Sequence, residues 1–164
     1  MKRSILFVAD IHPNFSGQAI VSKNVYNIIK KHFNIYHVPL SYKNQNKASL
    51  LYKLNFLFRF IYQAYAFYIT KSSKTVYYTP SRGSISIFRD LIILFFLRII
   101  NNKDLKIYAH LHGSDMKKSI DRSLFKSFLH YSYIKLKIKI ILLSKGHKKF
   151  ALGKTYKHYI YISS

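Results

Sequence analysis

The sequence of 164 residues contains no cysteine and no glutamate, and its only acidic residues are five aspartates. The lack of cysteine excludes disulfide bonds and thiolate metal sites, and it suits a reducing compartment. The lack of glutamate leaves few carboxylates for a mechanism that needs two of them. Long apolar runs are missing too: Leu91 to Leu97 is too short to span a membrane. Asp10 and His12 interrupt the first apolar run, so we expect no secretory signal.

Positive charge dominates what is present. Lys and Arg number 28, which gives a formal net charge of +23. Such an excess favours anionic partners, namely nucleic acid, anionic lipid or a phosphorylated ligand. Compositional drift is the alternative explanation, because the chain is also rich in Ile, Asn and Tyr, but drift does not explain the missing glutamate. Since 49% of the residues are hydrophobic, we expect one folded domain over residues 1–164 with a sizeable core.

The start of the chain predicts a strand followed by a helix. Residues 5–9 are apolar without alternation, as in a strand covered on both faces. A loop leads to Gly17, and apolar residues then recur at helical spacing. Gly17 would allow a ligand to approach a helix N-terminus that carries free N–H groups. The alternative is an ordinary turn in which Ser16 caps the helix.

The same alternation continues to the end of the chain. Further strands are predicted at 33–40, 74–79, 105–111, 138–143 and 159–162, and further helices at 48–70, 85–100, 119–135 and 145–152. Strands that alternate with helices predict right-handed βαβ units. We therefore expect an α/β fold, a Rossmann-like doubly wound parallel sheet of about six strands with helices on both faces.

The helix at 48–70 is amphipathic. Its predicted apolar stripe consists of Leu50, Leu54, Leu57, Phe58, Ile61, Tyr65 and Tyr68. We expect most of this stripe to pack on the sheet, and the excess tyrosine and basic residues to remain for an interface. The alternative is a helix that lies on an anionic membrane with its aromatic residues buried.

Candidate site residues follow the predicted strands. They are Gly17, Arg82, His112, Gly113, Asp115 and Ser144. Because the carboxyl ends of parallel strands share one edge of a sheet, we expect these residues to converge on one crevice.

His112 is the candidate catalytic residue. An imidazole there can hydrogen-bond a sugar hydroxyl or a phosphate. The alternative is a histidine that bonds only the neighbouring backbone. His110 points to the same face of the strand. We expect no metal site from this pair and Asp115, because no further ligand follows at a recognisable spacing.

Four sequence segments carry a resemblance to a known family. They are ILFVAD with SGQAIVSKNV near the start, Ser81-Arg82-Gly83 with Arg89-Asp90, HLHGSD at 110–115, and IILLSKGHKKF at 140–150. In this order they resemble the amino-terminal half of bacterial glycosyltransferases of family 4. Those are retaining enzymes of the GT-B fold, many of which build capsule, lipopolysaccharide or exopolysaccharide. HLHG is the most specific segment.

The resemblance implies a role for each candidate. Gly17 would lie near the donor diphosphate and His112 beside the transferred sugar, while Arg82 and Ser144 would line the cleft together with Gly113 and Asp115. Retaining transfer in this family proceeds by same-face attack assisted by the leaving phosphate, so no protein nucleophile is required. No cofactor or metal is implied beyond the nucleotide-sugar donor.

The resemblance also implies partners. The family's carboxyl-terminal domain, with its paired-glutamate donor motif, is not present in these residues. We therefore expect a truncated half-enzyme, inactive alone, that needs a donor domain or a split partner chain. The acceptor would be a sugar or a lipid-linked sugar. We expect a cytoplasmic location, where the basic, aromatic helices would suit docking on the anionic inner face of the cell membrane.

A basic protein without chemistry remains the alternative. It would bind a membrane surface or nucleic acid through charge. Nucleic acid is the weaker choice, because no helix-turn-helix, zinc or RNA-recognition pattern is present.

Overall fold

The computed structural model describes residues 3–11, 17–40, 50–70, 75–80, 84–100, 105–111, 131–142 and 159–161. Its strands are β1 (Ser4–Val8), β2 (Asn34–Val38), β3 (Thr75–Tyr78), β4 (Lys106–His110), β5 (Lys139–Leu142) and β6 (Tyr159–Tyr161). Its helices are α1 (Gly17–Ile29), α2 (Leu50–Thr70) and α3 (Ser84–Ile100), and residues 131–135 are helical as well. The predicted helix at 145–152 and most of the one at 119–135 lie outside the described residues.

The strands form one sheet in the order β2-β1-β3-β4-β5-β6, and every neighbouring pair is parallel. The predicted α/β fold with a parallel sheet is therefore confirmed. The chain moves outward from β1 to β2 and then crosses to β3 on the other side of β1. This reversal between β1 and β3 is the topological switch point at which open α/β sheets bind ligands.

Helices cover both faces of the sheet, as predicted. On one face, α2, α3 and the helix at 131–135 pack on the strands and enclose what we call the large core. Its fully buried members include Leu6, Phe60, Val76, Leu94 and Ile107. The other face carries a smaller cluster, the α1-side core. It contains Ile5, Phe7, Ala9 and Tyr77, against which Val25, Tyr26 and Ile29 of α1 pack.

The apolar stripe predicted for α2 is partly wrong. Phe60, Ala64 and Phe67 are buried in the large core, whereas Phe58 is 67% exposed and Tyr65 is 49% exposed. The physical reason is that α2 is apolar on almost every side, so helical periodicity alone does not determine which side meets the sheet. Among the described helices, none combines the length and the apolar character needed to cross a bilayer.

Candidate functional site at the carboxyl edge of the sheet

The start of α1 lies at the switch point. Gln18, the second residue of α1, donates a hydrogen bond from Nε2 to the carbonyl of Pro80, with a distance of 3.2 Å. Pro80 follows the end of β3, while α1 itself follows β1. The helix N-terminus is therefore held at the two strand ends between which the topology reverses. Its first backbone N–H groups have no partner within the helix and favour anionic or hydroxyl ligands.

Gly17 is the predicted site residue that the structure describes. It is exposed and begins α1. A Cβ atom added there would meet nothing within 4 Å, and its φ does not lie in the left-handed region. Neither packing nor backbone conformation in this structure requires a glycine at this position. The space where its Cβ would stand is open.

Asp10 anchors the loop after β1. Its Oδ1 accepts a hydrogen bond of 2.9 Å from the backbone N–H of Leu40, just beyond β2. One residue earlier, the carbonyl of Ala9 accepts a 2.8 Å hydrogen bond from Nε2 of His37. Since a carbonyl only accepts, Nε2 of His37 must carry a proton. The ends of β1 and β2 are thus joined by side chains as well as by the sheet.

An ion pair on α3 binds the carbonyl group of Leu40. Arg89 of α3 donates to the Leu40 carbonyl at 3.2 Å, and its guanidinium lies 2.8 Å from Oδ1 of Asp90. Asp90 is buried and also hydrogen-bonds the Tyr78 hydroxyl, and burial together with the Asp90 charge raises the pKa of Tyr78. Buried charges need such partners. The Arg89-Asp90 pair, which contributes to the family resemblance, therefore stabilises the edge in this structure.

Rings from neighbouring strands meet on the α1 side of the same edge. Phe7 of β1 stacks on Tyr77 of β3 with ring centroids 4.5 Å apart. The Tyr77 hydroxyl lies 2.6 Å from Nδ1 of His110, the last residue of β4, and the tautomer of His110 decides which of the two donates. His37 approaches Phe7 from β2 at 6.1 Å. A continuous row of rings thus crosses four strands below the carboxyl edge.

His110 is neutral near pH 7. Burial lowers the pKa of the His110 imidazole to about 4, because a charged ring loses its hydration there. Burial also raises the pKa of Tyr77 far above its usual value. The pair therefore consists of two neutral groups in this structure. His110 cannot supply positive charge at the site, which leaves that role to residues nearer the surface.

The other predicted site residues are Arg82, His112, Gly113, Asp115 and Ser144, and all five lie outside the described residues. The described strands that precede them do end at one edge, because the sheet is parallel throughout. Leu111, next to His112 in sequence, donates its N–H to the carbonyl of Ile141 at 3.1 Å. In the sequence, position 112 thus comes two residues after the end of β4.

A cavity elsewhere does not serve as the site. It has a volume of about 10 Å³ and lies within the large core beneath α2, with Leu6, Ala64, Phe67, Tyr68, Val76, Leu97 and Leu105 around it. Its walls are apolar, and its volume is that of about one water molecule. Within the described ranges, no three His, Cys, Asp or Glu residues are grouped closely enough to hold a metal ion.

Sequence reasoning missed Gln18 and Tyr77 as parts of the edge. Gln18 adjoins Gly17 in the sequence, which is the only signal that could have indicated it. Tyr77 and His110 meet because of the register that sets Tyr77 opposite Tyr108, and register is not visible in an isolated sequence. No protein-family model matches this chain, and no curated protein gives a significant match. The functional assignment therefore depends on the residues and the geometry.

Proposed function

We propose that this chain is the acceptor-side domain of a retaining glycosyltransferase that takes part in surface polysaccharide synthesis. The observation that carries the proposal is the start of α1, held by Gln18 at the end of β3 where the sheet reverses its topology. A saccharide or a diphosphate at this position would meet backbone N–H groups and the positive end of the helix dipole.

Gly17 supports this assignment. Since nothing in the structure occupies the space where its Cβ would stand, close approach of a ligand is a reason for glycine that the fold alone does not provide. The sequence resemblance adds His112, Gly113, Asp115, Arg82 and Ser144 as further contacts. His112 would act beside the transferred sugar.

The proposal assigns only half of the reaction to these residues. In the family that the sequence resembles, a second domain binds the nucleotide sugar, and the leaving phosphate assists attack on the same face of the sugar. The contribution of this domain would be to hold the acceptor and to stabilise the departing negative charge with helix N–H groups and basic residues. Transfer would require a donor-binding domain as well.

Saccharide binding by matched variants tests the proposal. Gly17→Leu places a bulky side chain in the open space, whereas Asn24→Leu adds the same side chain at another exposed position of α1. We expect saturation-transfer NMR with a panel of mono- and disaccharides to detect binding to the wild-type chain. We expect at least roughly tenfold weaker binding for Gly17→Leu and no change for Asn24→Leu.

Two results would contradict the proposal. One is a wild-type chain that binds no saccharide of the panel, and the other is equal binding by both leucine variants. Circular dichroism on each variant confirms that the fold is retained, so that lost binding is not confused with lost structure.

A further inference from the structure

Large apolar side chains are exposed along the outer side of α2 and α3. In α2 they are Phe58, Tyr62, Tyr65 and Ile69, and in α3 they are Phe88, Ile92 and Ile99. Tyr62 is 71% exposed and Ile99 is 77% exposed. We call these seven residues the outer helical surface.

Spacing makes each set a continuous row. The α2 residues follow one another at intervals of four, three and four, which places them on one side of a helix over three turns. The α3 residues repeat the pattern, with half-buried Phe95 at the intermediate position. Since α2 and α3 contact each other on the same face of the sheet, the two rows lie side by side.

These side chains do not belong to the core. The large core takes Phe60, Ala64 and Phe67 from α2, which lie on the opposite side of that helix from Tyr62. Folding therefore does not explain why the outer positions are aromatic or aliphatic. Contiguous exposed apolar surface of this kind usually marks an interaction site.

The charge near this surface is of one sign. The chain as a whole carries a formal net charge of +23, and α2 contains no acidic residue. Asp90 itself is buried and paired with Arg89, while Arg59 of α2 is exposed beside the α2 row. No exposed acidic side chain is present in the described parts of α2 and α3. A partner that meets this surface should be apolar at its centre and anionic around it.

A second copy of the chain fits poorly, because two chains of formal charge +23 would repel each other across such a contact. An anionic lipid bilayer fits both requirements. Tyrosine and phenylalanine side chains partition favourably into the boundary between headgroups and acyl chains, and basic residues are attracted to the anionic headgroups.

We propose that the outer helical surface docks in the plane of an anionic lipid bilayer. The α2 and α3 rows enter the headgroup region, and Arg59 beside the α2 row binds a lipid phosphate, while the overall positive charge of the chain attracts it to the anionic surface. This inference does not depend on the proposed sugar transfer. If both hold, docking would bring the domain to a lipid-linked acceptor.

Tryptophan reporters test the orientation directly, because the chain contains no tryptophan. Tyr62→Trp places the reporter in the α2 row. Ile28→Trp is the matched control, since Ile28 is 62% exposed on α1 at the opposite face of the sheet. With vesicles of phosphatidylglycerol and phosphatidylcholine, we expect a blue shift and quenching by brominated lipid for Tyr62→Trp alone.

Polar variants test the energetics. Phe58→Ser, Tyr62→Ser and Ile69→Ser together should lower partitioning into these vesicles at least roughly tenfold, because three inserted side chains are removed. The control is Ile20→Ser with Ile28→Ser, two exposed positions of α1, and we expect it to bind as the wild type does. Binding of the wild type should fall steeply in 1 M NaCl and be weak on pure phosphatidylcholine.

Three outcomes would overturn the proposal. The first is a wild-type chain that does not bind anionic vesicles. The second is equal binding by both sets of polar variants, which would mean that charge alone holds the chain. The third is retention of the chain by an acidic protein matrix through the outer helical surface while vesicles do not bind it. Equal quenching of Tyr62→Trp and Ile28→Trp would likewise contradict the proposal, because it would show that the outer helical surface is not oriented toward the bilayer.

Discussion

The large core on the α2 and α3 side is built mostly from aliphatic side chains, whereas the α1-side core is built around stacked and hydrogen-bonded rings. Among the described residues, the large core holds most of the buried hydrophobic side chains, and burial of such side chains is the main source of folding stability. The ring row crosses the sheet just below the carboxyl edge, near the strand ends where α1 begins. The residues that contribute most to stability and the rings beside the candidate site therefore lie on opposite faces of the same strands.

Truncating the large core should have the largest effect. Leu94 of α3 is fully buried, so Leu94→Ala should lower the free energy of unfolding by about 3 to 4 kcal/mol through lost burial and a residual cavity. Ile92→Ala, two residues earlier on the exposed side of α3, should cost less than about 1 kcal/mol. Denaturant unfolding measures both values. Similar costs at the two positions would contradict the division of α3 into a core side and an outer side.

Removing the buried carboxylate of the large core should come next. Asp90→Ala leaves the Arg89 guanidinium and the Tyr78 hydroxyl without their shared acceptor, and we expect a loss of about 3 kcal/mol. In Arg89→Met combined with Asp90→Ala, part of that loss should return, because no unpaired charge remains. Arg89→Met alone completes the comparison. If the double variant lost as much stability as the two single variants added together, the pair would not be coupled.

Acid should weaken the α1 side through His110. Its folded pKa of about 4 lies below the usual 6.5, so the stabilisation is fully present above pH 6.5 and is lost as the pH falls toward 4. At pH 5 the loss should be about 2 kcal/mol. His110→Gln removes this titration, and the exposed His32→Gln does not. Denaturant unfolding at pH 7 and at pH 5 gives the free energy of unfolding of the wild type and of both variants. If His110→Gln lost as much stability between the two pH values as the wild type, this account would be refuted.

A gain in stability is expected at the turn before β5. Lys137 has a φ of 51°, and hydrogen bonds from Lys137 N to Ile134 O and from Ile138 N to Tyr133 O complete a Schellman cap. Glycine takes this conformation without the cost of a Cβ, so Lys137→Gly should stabilise by about 0.5 to 1 kcal/mol. Lys135→Gly, at the last helical residue before this cap, should destabilise by up to about 1 kcal/mol. Thermal unfolding measures the change in stability for each substitution. If both substitutions raised the stability, or both lowered it, this interpretation of the turn would be contradicted.

Much of the fold could be predicted from the sequence. The apolar run at residues 5–9 is continuous because β1 is buried on both faces, and the alternation of strands with helices predicts the parallel sheet. The buried side of α2 could not be predicted, since Phe58 and Phe60 are equally apolar and only contact with the sheet separates them.

The candidate site could be predicted only in outline. Gly17 lies at the edge that the strand-helix alternation indicates. The pairing of Tyr77 with His110 depends on residues 33 positions apart and on the register between β3 and β4, which no local pattern encodes. The roles of Arg82, His112, Gly113, Asp115 and Ser144 remain predictions.

Amide mapping by NMR tests the central claim most directly, namely that the edge between β1 and β3 is the place where saccharide binds. The ¹⁵N-labelled chain is titrated with the disaccharide that binds best, and each amide shift is followed. The account predicts that Gly17, Gln18 and Thr79 shift, while Asn34, Thr75 and Lys106 at the opposite edge stay in place. Shifts confined to the opposite edge or to the outer helical surface would contradict it.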